Sequence, residues 1–176
     1  MIRLFKKSHP KVGARPGTLV IPEGAVPPKE SVMHFTPEEL TEEEVTDVES
    51  LQAAQRVETV SWVDVQGFGD VKMIRRIGEI FALHPLAIED VVNVPQRPKT
   101  EAYAEQVLVI VRMVRAGDGR QVDMEQVSIV LGKNYVLTFQ ERYGDILDPV
   151  RKRIRAGNKA IRSEGADYVA YAIFDT

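Results

Sequence analysis

The chain has no cysteine among its 176 residues. That excludes disulfides, thiolate metal sites and a cysteine nucleophile, and it is compatible with a reducing compartment. Histidine is scarce too: His9, His34 and His84 stand apart, with no two at the spacing of metal ligands. No apolar run approaches the roughly 20 residues that a membrane-spanning helix needs. The basic start, Met1 to Gly17, lacks the apolar stretch of a signal peptide. Net charge is only −3, so nothing overall points to nucleic acid as a partner. There is no Walker motif, no Gly-x-Ser-x-Gly elbow and no Ser/His/Asp set, and Gly67-Phe68-Gly69 lacks the third glycine of a dinucleotide loop. Nothing in the chain reads as catalytic. These absences describe a soluble cytoplasmic domain that is not an enzyme.

What is present suits one domain, with 44% apolar and 28% charged residues and a length sufficient for its own core. Residues 1–16 read as a flexible basic arm. Thr18 to Ile21 is a short β-rich run, and Ser31 to Phe35 a second strand. Thr36, with Pro37 and Glu39 behind it, predicts a helix start whose dipole would favour the acidic stretch Glu38 to Glu49. Thr59 to Val65, with the lone Trp62, predicts a strand ended by Gly67. Asp70 caps a helix carrying Val71, Ile74, Ile77 and Phe81 on one face. His84-Pro85 ends that helix and starts another, since proline fits only a first turn. Tyr103 to Val114 predicts one long strand. Turns at Gly117-Asp118-Gly119 and Gly132-Lys133-Asn134 then lead into Gln126 to Leu131 and Tyr135 to Phe139, which makes three antiparallel neighbours. Asp145 to Arg155 predicts a helix with Leu147, Val150 and Ile154 inward and Arg151, Lys152, Arg153 and Arg155 outward, a solvated basic face without aromatic interleaving. The apolar helix begun at Ala166 has no glycine cap or polar tail. It is expected to be cut from a longer protein, with 17–160 as the α/β domain and 161–176 as the start of a truncated helix.

Chemistry concentrates between His84 and Gln106, where a proline-started helix carries the adjacent Glu89 and Asp90 and is followed by Gln96-Arg97-Pro98-Lys99. His84 reads as a helix cap or hinge, and the Gln-Arg-Pro-Lys run as a structural turn in which Arg97 is available for an ion pair. Neighbouring helix residues project about 100° apart. Glu89 and Asp90 are therefore poorly placed to chelate one bare ion, and suit two nearby sites or an interface. Carboxylate oxygens favour Mg²⁺, Mn²⁺ or Ca²⁺, and Mg²⁺ tends to keep its waters. By residue type alone, such a pair is more often capping or solvated surface.

The run His84 to Lys99 resembles the cytoplasmic domain of the CorA family of magnesium and cobalt channels. The resemblance extends, in order, through Pro16 to Val20, Thr46 to Ser50, the Trp62 strand ending in Gly67, Glu125 to Ser128, Val136 to Glu141, Asp148 to Arg151, Arg153 to Arg155 and Ala166 to Tyr168. It implies an α/β fold: a mixed parallel and antiparallel sheet sandwiched between helix layers. It implies a Mg²⁺-sensing regulatory domain, on the cytoplasmic face of the cell membrane, of a homopentameric channel for Mg²⁺ and Co²⁺. It also implies metal sites between subunits, with Asp90 facing a carboxylate of the next subunit's stalk helix and Glu89 beside a second site with Asp175. The stalk, the membrane helices and the Gly-Met-Asn pore loop are absent from this sequence, so any membrane contact would run through the missing helices. Two alternatives stand beside this reading: the domain of a zinc-transporting relative, or a soluble metal-dependent enzyme using Glu89 and Asp90. Alone, the chain is expected to be mainly monomeric and to bind Mg²⁺ weakly.

Overall fold

Alternate positions along the strands divide the apolar residues between two cores, one on each face of a single sheet. The computed structural model describes residues 13–21, 23–116, 122–144, 146–157 and 159–176. Its strands are β1 (Lys29–Phe35), β2 (Leu40–Glu44), β3 (Val60–Gln66), β4 (Lys99–Tyr103), β5 (Gln106–Ala116), β6 (Val122–Leu131) and β7 (Tyr135–Gln140). They lie in the order β2-β1-β3-β7-β6-β5-β4. Among the described strands only the central pair β3 and β7 is parallel. All six residues of β7 are buried, as expected for a parallel pair covered on both faces. The mixed sheet is thus as expected, including three successive antiparallel neighbours from β5 to β7.

On one face Val63, Val65, Ile110, Leu137 and Phe139 pack under a 3-10 helix (Val48–Gln55) and the helices α1 (Val71–Ile80) and α2 (Pro85–Val92). On the other, Phe35, Trp62, Ile129 and Val136 pack under α3 (Asp148–Arg155), α4 (Lys159–Ser163) and α5 (Ala166–Phe174). The result is an α/β/α sandwich. Asp70 caps α1 as expected, accepting the N–H groups of Lys72 and Met73 at 2.8 and 3.1 Å. Among the described residues no helix is long and apolar enough to cross a membrane.

Four expectations need correction. The helix foreseen after Thr36 is a hairpin. Thr36 Oγ1 does accept the N–H groups of Glu38 and Glu39, at 3.2 and 3.0 Å. Its own N–H, however, donates to the Glu39 carbonyl at 3.0 Å, and the acidic run returns as β2 along β1. A threonine hydroxyl bonded to the next N–H groups serves a turn as well as a helix cap. The run from Thr18 to Ile21 joins no strand ladder, and its Leu19 and Ile21 instead pack against the helix-covered core. The single strand expected from Tyr103 is two strands, β4 and β5, turning at Ala104 with φ 49°. Ala104-Glu105 lacks the Asn or Gly that announces such a turn. Arg151, expected to face outward, is buried at 8% exposure. The basic arm expected over 1–16 lies mostly outside the described residues, with 13–16 exposed. The turn at Gly117-Asp118-Gly119 and the helix start at Asp145 also lie outside them.

Candidate functional site

The short helix α2 owes its start to His84 and Pro85. His84 lies at the N-cap, and its Nδ1 accepts the N–H of Leu86 at 3.2 Å. Its ring stacks on Tyr103 of β4, with centroids 4.9 Å apart and planes 18° from parallel. Ala87, Val91 and Val92 fix the inner face of α2 in the core. This leaves Glu89 and Asp90, part-buried, along its flank.

The two carboxylates have different partners, as their angular separation on the helix requires. Glu89 Oε2 accepts the backbone N–H of Gly17 at 2.6 Å. Gly17 has φ +82°, and a Cβ there would lie 3.0 Å from Pro85 Cβ, so only glycine passes this close to α2 without strain. Glu89 thus holds the segment entering the domain against the helix.

Asp90 faces β4. Its Oδ1 accepts from Gln96 Nε2 at 3.0 Å, and its Oδ2 from Lys99 Nζ at 2.6 Å. The Lys99 and Asp90 side chains are 27% and 20% exposed, so the pair sits at the rim between water and core. Lys99 also donates to Glu101 Oε1 at 3.0 Å, and Tyr103 donates its hydroxyl proton to Glu101 Oε2 at 2.5 Å. Residues 99, 101 and 103 share one face of β4 by the two-residue period of a strand, forming a line of alternating charge that ends at the His84 ring. Burial works to lower the Lys99 pKa, but its hydrogen bonds to Asp90 and Glu101 outweigh it and leave it raised. The hydrogen bond from Tyr103, followed by that from Lys99, holds the Glu101 carboxyl below its usual range. Burial first, and Glu101 second, push the Tyr103 hydroxyl up to about 12.

The turn between α2 and β4 is itself anchored. Its Gln96 N–H donates to Gln126 Oε1 at 2.6 Å, and its carbonyl accepts from Arg112 at 2.8 and 3.1 Å. Gln126 Nε2 reaches the carbonyls of Asp90 and Val91 at 3.4 Å. The residues missed in the sequence are therefore Gln96, Lys99 and Gln126, which orient Asp90. The signal for Gln96 and Lys99 was present in Gln96-Arg97-Pro98-Lys99, read there as a turn alone. The ion pair falls to Lys99, while Arg97 lies exposed.

Asp175 follows α5, where its N–H closes the helix on the Tyr171 carbonyl at 2.9 Å. Because α5 packs on the sheet face opposite α2, one chain does not bring Asp175 to Glu89. Among the described residues, no group of three or more His, Asp or Glu side chains stands close enough to hold a metal ion. The donor chemistry of Glu89, Asp90 and Asp175 fits a hydrated hard cation, but among the described residues a single chain does not bring the three together.

Residues 57–176 match the family model described as "CorA-like Mg2+ transporter protein". The chain is 40% identical over 172 residues to the cobalt/magnesium transport protein CorA of Thermotoga maritima, an alignment covering 97% of this chain and 49% of that protein. It thus spans about half the length of that curated relative. The full-length CmaX protein is similar in fold, with a TM-score of 0.66 at 16% identity over 86% of this chain and 46% of that one. So is the soluble domain of CorA from Methanocaldococcus jannaschii, with a TM-score of 0.57 at 11% identity over 82% of this chain and 54% of that one. With the α/β/α sandwich and the match over 57–176, the chain belongs to the CorA-like family of Mg²⁺ transporter proteins.

Proposed function

We propose that this chain is the cytoplasmic, Mg²⁺-sensing part of a homopentameric CorA-type transporter in the cell membrane, with Mg²⁺ and Co²⁺ as cargo. Glu89, Asp90 and Asp175 contribute to regulatory cation sites completed by neighbouring subunits. The observation that carries this reading is the division of these carboxylates between opposite sheet faces, Glu89 and Asp90 part-buried and Asp175 exposed, with no metal-holding cluster among the described residues. An enzyme would need its ligands converged in one cleft.

The chemistry of such a site is electrostatic. Two carboxylates brought about 5 Å apart across an interface repel by roughly 3 kcal/mol at an effective dielectric of about 20. A hydrated divalent cation between them reverses the sign and favours the arrangement that holds subunits together. Loss of the cation releases it, a shift of population between two states. In the full-length transporter carrying this sequence, Asp90→Asn is expected to abolish the protection that Mg²⁺ gives against limited proteolysis, while leaving the fold intact by circular dichroism. Mg²⁺ protection equal to that of the unaltered transporter would remove Asp90 from the sensor.

A further inference from the structure

We propose that Lys99 is a tethered competitor for the divalent cation at Asp90, and so sets the concentration at which the site fills. The inference rests on the reading of Asp90 as a cation ligand. In the isolated chain, the Lys99 ammonium stands 2.6 Å from Asp90 Oδ2, while Gln96 Nε2 occupies Oδ1 at 3.0 Å. Both oxygens already carry donors, and the charge of the carboxylate is already offset. A cation entering from solvent must take the place of the ammonium.

The strand provides somewhere for that ammonium to go. Glu101, two residues along and on the same face, already accepts from Lys99 at 3.0 Å, and its second oxygen is held by the Tyr103 hydroxyl. Displacement from Asp90 therefore needs only a change of side-chain rotamer, and the charge keeps a partner. Lysine suits this exchange because its charge is compact and its four-carbon stem is flexible, whereas an arginine fork would hold the carboxylate in a fixed planar pair. Gln96 is a neutral donor on an anchored turn and can stay in place to orient Asp90 in either state. The exchange is thus of one tethered single charge for one free double charge. Its balance point depends on the strength of the pair Lys99 makes.

The test is an NMR titration of the ¹⁵N-labelled chain with Mg²⁺, backed by Mn²⁺, whose paramagnetism broadens the amides nearest to it. Lys99→Met should lower the Mg²⁺ concentration of half-maximal shift at Asp90 and its neighbours about fivefold, the worth of a partly exposed ion pair of about 1 kcal/mol. Lys99→Arg, which keeps the charge and the packing of the stem, should stay with the unaltered chain or require more Mg²⁺. Asp90→Asn should erase the local response and the Mn²⁺ broadening. If Lys99→Met leaves the half-point unchanged while Asp90→Asn still erases the response, the competitor role is wrong and the site stands. If Asp90→Asn leaves the response unaltered, the cation of the chain binds elsewhere and the competitor role is wrong, while the sensor reading is decided separately by proteolysis of the full-length transporter. An unchanged pattern of amide peaks away from β4 checks that each variant is folded.

Discussion

Glu30 is an acid buried without full hydrogen bonding in this fold. It is 9% exposed, and its Oε1 has no hydrogen-bond partner among the described residues. Burial raises its carboxyl above the ordinary 4.5, against the lowering effect of a backbone hydrogen bond. A raised acid holds its proton more tightly folded than unfolded. The fold is therefore favoured while the group is protonated, and loses stability as pH rises from 4.5 through the folded value. Glu30→Gln removes that loss. The variant should melt above the unaltered chain at pH 7, and the difference should vanish below pH 4.5. A lower melting temperature at pH 7 would show that the buried charge is compensated. Nothing in the sequence around Glu30 signals this, because strand period places the residue on the inner face while its neighbours decide whether it finds a donor. The same reason hid the partner of Asp90. Its identity as a candidate ligand came with the family resemblance, but Lys99 reaches it only because β4 folds back beside α2.

The elements were legible where periodicity and capping chemistry agreed, as in α1, α2 and β7, and illegible where tertiary pairing chose between equal local options. Thr36 could start a helix or turn a hairpin, and pairing with β1 decided it. Helix α3 shows the same limit on its buried side. Its spacing correctly placed Leu147, Val150 and Ile154 inward, but a charge at 151 looked solvated. Arg151 instead enters the sheet, pairing with Asp64 at 2.5 Å and lying 5.2 Å over the Trp62 ring. Asp64 is 3% exposed and also accepts from Thr138 at 2.5 Å and Gln140 at 2.9 Å. It thereby joins α3 to the two central parallel strands. A buried pair of this kind stabilises little against an apolar replacement of both partners, yet removing one leaves the other charge uncompensated. Asp64→Ala should therefore lower the unfolding free energy by about 3–5 kcal/mol, measured by urea denaturation. A change within experimental error would mean that water and Asp148, which already accepts from Arg151 at 3.1 Å, suffice to hold the charge.

At the scale of the whole molecule, the sheet is a partition. Its antiparallel run from β5 to β7 and its mixed character could be read from short turns and the resemblance. The consequence for the site could not, since facing depends on which side of the sheet each helix crosses to. Glu89 and Asp90 ride on α2 over one core, while Asp175 ends α5 over the other. Intramolecular donors already occupy the first two, a backbone N–H at Glu89 and an ammonium at Asp90. Among the described residues a single chain therefore offers a cation no converged ligands, and at Asp90 a charge already paired. The proposed sensor consequently belongs to the assembly and not to the chain. Calorimetric titration of the isolated chain with Mg²⁺ tests this most directly. The account predicts weak binding, in the millimolar range or beyond, of the order seen when few carboxylates meet a cation that keeps its water. Micromolar binding by the chain alone would contradict it, and would point to a self-contained metal site of the kind an enzyme carries.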